Sequence, residues 1–183
     1  MKNFFDPQRI WPNGSYPHFL ILLDRYPQYV EYARQHAELL GHFGHLEAVP
    51  AQWLHITVQR VHHPAGAQQL EQLAAEARTE LADVVPFEVQ LGPTWPGVTA
   101  ITVAPYPEEP MAVLNRKVRA AAGRVEGIEL RAEEKRFWPH TSLAYANPRQ
   151  RQESIDSTDS CFANLPRSLF AAGFTLLSQK GLT

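Results

Sequence analysis

Two short stretches of this chain are near copies of each other: Trp53-Leu54-His55-Ile56-Thr57-Val58 and Trp138-Pro139-His140-Thr141-Ser142-Leu143. Each follows the pattern Trp-x-His-x-(Ser/Thr)-apolar. The two histidines lie 85 residues apart in a chain of 183 residues, close to half its length. Matching hexapeptides at this spacing predict a duplicated unit in which each half supplies one imidazole.

Alternation of apolar and polar residues predicts that both stretches are β-strands, because side chains two positions apart on a strand share a face. One face of the first strand then carries Trp53, His55, Thr57 and Gln59. The matching face of the second strand carries Trp138, His140, Ser142 and Ala144. If the two halves face each other, two imidazoles and two hydroxyls meet in one cleft, related by a pseudo-twofold axis.

The same alternation predicts that Arg60 points away from the cleft and that Tyr145 belongs to the core. Trp53 and Trp138 either stack on a nucleobase or only wall the cleft, since tryptophan packs well in both settings. Basic residues beside the second motif can guide a phosphate at the mouth of the cleft or form a solvated face; they are Lys135, Arg136, Arg149 and Arg151.

The remaining sequence predicts two β-α-β-α-β units in one bilobal domain over residues 1–183. Strands are predicted over residues 18–24, 53–61, 87–91, 98–104, 137–146 and 174–178, and helices over 27–40, 65–83 and 108–122. Turn residues over 92–97 predict the junction, with lobe one at about 17–92 and lobe two at about 97–183. Residues 1–17 are predicted to be irregular. Over residues 147–160, which are polar, the counterpart of the second helix is predicted to be shortened or replaced by a loop.

The charge and cysteine content of the chain limit its binding partners and its location. The net charge is −2, with 6 Lys/Arg against 10 Asp/Glu over residues 1–92 and 11 against 9 over residues 93–183. A protein that grips a long RNA through its phosphates has a strong basic excess, so a small nucleotide or an RNA end fits better. One cysteine, Cys161, and the absence of a transmembrane span or signal-peptide stretch predict a cytoplasmic protein.

The sequences His55-Ile56-Thr57-Val58 and His140-Thr141-Ser142-Leu143 resemble the signature of the two-histidine phosphoesterase superfamily, whose bacterial members are filed as 2′-5′ RNA ligases or cyclic phosphodiesterases. The resemblance implies an α+β fold of two antiparallel-sheet lobes around a central cleft. It also implies activity without metal or other cofactors on 2′,3′-cyclic phosphates, 2′-5′ linkages or ADP-ribose cyclic phosphates. Thr141 departs from the family pattern, which has an apolar residue at that position.

The chemistry of these residue types agrees with the resemblance. Transfer at a phosphodiester needs one group that takes a proton from the nucleophile and one that gives a proton to the leaving oxygen. Imidazole can do either at neutral pH, so His55 and His140 are the predicted catalytic pair, in roles that the sequence does not assign. The hydroxyls of Thr57 and Ser142 are predicted to bind the non-bridging phosphate oxygens.

Two other functions compete with this hypothesis. The first is a module of the same fold that binds a nucleotide or an RNA end without turnover. The second is a metal-dependent hydrolase built on His42, His45, His62 and His63, although no spacing typical of zinc sites supports it. The sequence predicts no metal site, and the oligomeric state stays open.

Overall fold

The computed structural model describes Lys2, Phe4, residues 16–147 and the backbone of Phe174–Leu177. Within these residues the chain forms strands and α-helices in the following order: β1 (His18–Leu22), α1 (Pro27–Leu40), β2 (Leu46–Ala48), β3 (His55–Arg60), α2 (Ala67–Glu80), β4 (Glu88–Pro96), β5 (Ala100–Tyr106), α3 (Glu109–Ala122), β6 (Thr141–Ala146) and β7 (Phe174–Leu177). None of the described helices has the length and apolar character needed to cross a membrane.

The strands form an antiparallel sheet in the order β1-β3-β6-β5-β4-β7, and β2 also pairs with the end of β6. The fold is therefore α+β, as predicted. Strand β3, which begins at His55, and strand β6, which begins just after His140, are direct neighbours, and they pair through Ile56 and Thr141. A pseudo-twofold relation between the halves stays a prediction.

The main core lies between one face of the sheet and helices α1 and α3. Ile56 and Leu143 contribute from the two motif strands, and Tyr29 and Met111 contribute from the helices; each is at most 2% exposed. Helix α2 packs against α3 through a smaller apolar cluster that includes Leu73 and Ala122. Because the core takes this face of β3 and β6, their other face is left for the two polar motifs.

All three helices lie where the 3.6-residue periodicity predicts them. Helix α1 begins at Pro27, whose fixed φ suits the first helical position, and it ends before Gly41. Helix α3 has Glu109 in its first turn and Arg119 in its last, the distribution that the helix dipole favours.

Two strand predictions need correction. The turn expected over residues 92–97 is not there, because β4 continues to Pro96. A register shift between Leu91 and Thr94 takes up Gly92 and Pro93, so the missing N–H of Pro93 falls where the ladder is already interrupted. Strand β6 begins only at Thr141, so Trp138, Pro139 and His140 precede it. The predicted polar loop falls almost entirely outside the described residues, as does Cys161.

Candidate active site

A cavity of about 360 Å³ opens on the face of the sheet opposite α1 and α3. The six side chains that the two hexapeptides predicted for the cleft all line it: Trp53, His55, Thr57, Trp138, His140 and Ser142. The cavity volume lies within the range of small-molecule sites in proteins. The structure thus brings together the groups that sequence alternation placed on one face.

The pairing of Ile56 with Thr141 determines which motif residues are neighbours. In an antiparallel pair, the residue before one partner lies beside the residue after the other. His55 therefore lies across from Ser142, and Thr57 lies across from His140. Directly opposed residues are about 4.5–5.5 Å apart at Cα, so each imidazole has the hydroxyl of the other motif beside it.

Both imidazoles are held in the same way by their own chain. Nδ1 of His55 lies 2.6 Å from the carbonyl oxygen of Trp53, and Nδ1 of His140 lies 3.1 Å from that of Trp138. A carbonyl oxygen only accepts, so Nδ1 carries the proton and donates it in both contacts. The neutral ring then has a bare Nε2, which is the nitrogen left for chemistry in the cleft.

The two tryptophans stand at the rim of the cavity with much of their surface exposed, 65% for Trp53 and 48% for Trp138. The Trp138 ring also lies beside the His140 imidazole, with 4.9 Å between ring centroids and 31° between planes. This contact, together with the Nδ1 hydrogen bond, restrains the His140 ring. Exposed indole faces on a cleft of this size are available for stacking on a planar ligand.

Strand β3 contains a bulge that strict alternation did not predict. Leu20 lies opposite Thr57 and Phe19 lies opposite Gln59, so Val58 is the extra residue. Beyond Val58 the two faces are exchanged. Gln59 is 8% exposed and lies away from the cleft, whereas Arg60 lines it. The predicted positions of Gln59 and Arg60 are therefore both wrong.

Strand β6 has the same irregularity at the same distance from its histidine. Thr102 lies opposite Ser142 and Ile101 lies opposite Ala144, which leaves Leu143 as the extra residue. Ala144 is fully buried in the core, and Tyr145 lines the cleft. The predictions for Ala144 and Tyr145 are wrong for the same physical reason as those for Gln59 and Arg60.

Arg60 and Tyr145 thus occupy the fifth position after their respective histidines. That shared offset is the one signal in the sequence that could have identified them, because period-two alternation cannot anticipate a bulge. A further cleft residue that sequence analysis did not identify is Phe4, whose ring stacks on Tyr145 with 3.8 Å between centroids. The Phe4 backbone N–H donates to the carbonyl of Ala146, which holds Phe4 against the end of β6.

Thr141, the departure from the family pattern, has a structural explanation. Its side chain is on the core face and 1% exposed, and its hydroxyl oxygen accepts a 3.2 Å hydrogen bond from the Tyr29 hydroxyl on α1. Burial raises the pKa of Tyr29, so this phenol stays protonated and can donate. A hydroxyl is tolerated in the core here because a partner satisfies it.

The other polar groups that the sequence suggested, where the structure describes them, lie outside the cleft. Lys135 and Arg136 line a separate cavity of about 280 Å³, where Arg136 makes an ion pair with Glu108, so they do not guard the mouth of the cleft. Arg149 and Arg151 are outside the described residues. Among the described residues, His42, His45, His62 and His63 do not join other His, Cys, Asp or Glu side chains in a group that could hold a metal ion.

One more histidine, His18, lies opposite Arg60 at the end of β1. Its pKa is below the ordinary value, mainly because of partial burial. A hydrogen bond to the Tyr16 carbonyl raises it, and electrostatic interactions with Arg60 and His55 lower it further. The pKa of His62 is lowered in the same direction, by burial first and then by Arg131 and Arg60. Both histidines therefore resist protonation in the folded state.

These two shifts predict a stability that depends on pH. A pKa that is lower in the folded state means that the unfolded chain binds more protons as the pH falls. The contribution of these two histidines to the free energy of unfolding is therefore complete above about pH 6.5, the ordinary pKa of histidine, and is lost as the pH falls toward their pKa values in the folded state. We expect the free energy of unfolding, measured with urea, to fall between pH 7.5 and 5.5. His18→Asn, which keeps a donor near Nδ1, is expected to reduce that fall. An equal slope in the parent and in the variant would contradict the assignment.

Comparisons with known proteins concern the family and the fold. A family model described as the 2′-5′ RNA ligase superfamily matches residues 28–176, more than half of the chain. No curated protein matches the chain in sequence.

Several solved structures share the fold at low sequence identity. TT0787 of Thermus thermophilus superposes with a TM-score of 0.58 at 19% identity, over 89% of this chain and 79% of that one. The MHV ns2 PDE domain gives 0.55 at 13% identity, over 72% and 84%. E. coli LigT in apo form gives 0.52 at 17% identity, over 88% and 84%. At these identities the likeness shows the fold.

Proposed function

This chain belongs to the 2′-5′ RNA ligase superfamily, within the two-histidine phosphoesterases, and from that premise we propose that it is a metal-independent phosphoesterase. The proposed substrates carry a 2′,3′-cyclic phosphate or a 2′-5′ linkage, in a nucleotide or at an RNA end. Membership of the family supports phosphoesterase or ligase-like activity in general. The single cysteine in the sequence favours a cytoplasmic location.

The observation that carries the proposal is the matched pair of imidazoles. Each has its Nδ1 bound to a backbone carbonyl and lines the same cavity, so each has Nε2 left to exchange a proton there. In hydrolysis, a neutral Nε2 takes a proton from water as the water oxygen bonds to phosphorus. The other imidazole, protonated, gives its proton to the sugar oxygen as the old P–O bond breaks. When a 5′-hydroxyl replaces water as the nucleophile, the same two transfers join two ends: one imidazole takes the proton of that hydroxyl as its oxygen bonds to phosphorus, and the other gives a proton to the sugar oxygen of the cyclic phosphate as the ring P–O bond breaks.

The neighbouring groups suit the charge that develops in this reaction. Hydroxyls of Thr57 and Ser142 can donate hydrogen bonds to the non-bridging oxygens, where negative charge builds in the transition state. Arg60 adds a permanent positive charge to the cleft wall, and guanidinium is well suited to phosphate oxygens. We assign the phosphate to the space between the two motifs.

Exposed tryptophans at the rim favour a nucleoside as the rest of the substrate. A base can stack on Trp53 or Trp138 while its phosphate reaches the histidines. E. coli LigT, whose structure with NADP⁺ superposes with a TM-score of 0.50 at 17% identity over 88% of this chain and 84% of that one, binds a nucleotide on the same fold.

A bell-shaped pH dependence of kcat/KM is expected, because one imidazole must be neutral and the other protonated. At low pH the base is protonated and idle, and at high pH the acid has lost its proton. The two limbs give macroscopic values that belong to the coupled pair. Initial rates on 2′,3′-cyclic AMP from pH 4.5 to 9 measure the profile; activity that rises to a plateau with only one limb would argue against a paired acid and base.

The test of the function itself is a substrate panel assayed with EDTA present. It contains 2′,3′-cyclic nucleotides, 2′-5′ dinucleotides and, as a matched control, the 3′-5′ dinucleotides of the same bases. We expect turnover of one of the first two classes, no turnover of the control and no effect of EDTA. Loss of activity with EDTA would indicate a metal-dependent hydrolase. Binding without turnover of any compound would indicate a binding module.

A further inference from the structure

The β3 bulge, by which Arg60 rather than Gln59 reaches the cleft, is held by polar side chains from the opposite side of the sheet. Val58 is the extra residue of the bulge, and the side chain of Asn115 on α3 donates a 2.6 Å hydrogen bond to its backbone carbonyl. Asn115 is 6% exposed. A buried carbonyl at a bulge needs such a partner, because water is not available to replace the lost ladder bond.

Gln59 extends this contact toward Arg60. Its side-chain oxygen accepts from Asn115 at 3.0 Å and from Arg119 at 3.2 Å, and its side-chain nitrogen donates to the backbone carbonyl of Arg60 at 2.7 Å. Arg119 in turn donates to the carbonyl of Arg131. Two buried amides and one guanidinium therefore fix the backbone on both sides of the residue that enters the cleft.

We propose that Asn115 and Gln59 are positioning residues for the reaction, which hold the β3 bulge and thereby keep the Arg60 guanidinium at the substrate phosphate. The inference rests on the proposed function and adds to it a contact from α3, on the core side of the sheet. Without the bulge, alternation returns Gln59 to the cleft and moves Arg60 to the opposite face. The cleft then holds a neutral amide in place of a cation.

A purely structural role for the same network makes a different prediction, and a double-mutant cycle separates the two. Arg60→Ala is expected to lower kcat/KM by about 10- to 100-fold, the loss typical of a hydrogen bond to a charged group. Asn115→Ala alone is expected to lower kcat/KM by about 10-fold. In the Arg60→Ala background, Asn115→Ala should have less than about a twofold effect, because the group that it positions is gone.

Val118→Ala is the matched control, since Val118 is a buried residue of the same helix that packs in the apolar core. It is expected to lower Tm and to leave kcat/KM within about twofold of the parent. If Asn115→Ala does not fold, Arg119→Gln is the alternative variant, because it changes a half-buried residue that donates one hydrogen bond to Gln59. Its kcat/KM is expected to fall by about threefold, and only when Arg60 is present.

Three results would overturn the inference: an equal loss from Asn115→Ala in both backgrounds, no loss at all, or a loss in Val118→Ala as large as that in Asn115→Ala. Failure of the proposed function looks different, because the parent protein then turns over no compound of the panel. In that event the double-mutant cycle of Arg60→Ala and Asn115→Ala is measured on the dissociation constant for 2′,3′-cyclic AMP. Additive effects of the two substitutions on binding would overturn the positioning role, and non-additive effects would support it.

Discussion

Replacing either His55 or His140 by alanine is expected to lower kcat by about 10²–10⁴, the range for loss of a general acid or base. The double replacement should cost little more than one replacement, since groups that act as a unit are not additive. Both imidazoles line the same cavity, and under the proposed function they act on one phosphorus, so loss of either one already stops the coupled proton transfers. Single-turnover and steady-state rates on the preferred substrate of the panel measure the effect.

The matched control for this experiment is His63→Ala. His63 follows β3 outside the cleft, where its Nε2 accepts a hydrogen bond from the backbone N–H of Glu129. We expect its kcat to stay within about twofold of the parent. A His55 or His140 variant with near-normal kcat, at unchanged Tm, would remove that residue from the catalytic pair.

The two cleft hydroxyls give the second large effect. Thr57→Val and Ser142→Ala are each expected to lower kcat by about 10²–10³, as when one donor to a developing oxyanion is lost. Both side chains lie on the polar face of the sheet and are only partly buried, so Tm should change little. Rates and thermal melts on the purified variants test both statements together.

Thr141→Val serves as the control for the hydroxyl variants, because it removes a hydroxyl from the same strand on its other face. Its oxygen bonds to Tyr29 in the core, so the expected result is a loss of about 1–3 kcal/mol in the free energy of unfolding with kcat unchanged. If Ser142→Ala behaves like Thr141→Val, with lower stability and a normal rate, then Ser142 does not touch the phosphate.

Much of the fold and the centre of the site could be predicted from local patterns. Helices α1 and α3 are defined by apolar stripes and by their terminal residues, both of which are properties of neighbouring positions in the chain. His55 and Thr57 share a face because a strand is pleated, and the same rule places His140 and Ser142 together. The duplication then predicted that the two pairs meet, and both line the cavity.

The errors arose where a distant segment changes the backbone. Alternation fails at Val58 and at Leu143 because each is an extra residue relative to its partner strand, β1 in one case and β5 in the other. For β3 the stabilising group is Asn115, 57 residues away in sequence. The residues next to Arg60 in the sequence give no indication of that contact, so the two-residue alternation assigned Arg60 to the wrong face of β3.

The sequence by itself thus determined the residue types of the candidate site: two imidazoles and two hydroxyls in repeated motifs, each pair placed on one face by the two-residue period of a strand. Tertiary structure alone decided which residues of the two motifs are neighbours, through the pairing of Ile56 with Thr141. It alone also placed Arg60 and Tyr145 in the cleft. The physical reason is that pleat and helix periodicity are local, whereas strand register and bulges depend on hydrogen bonds to segments far away in the chain.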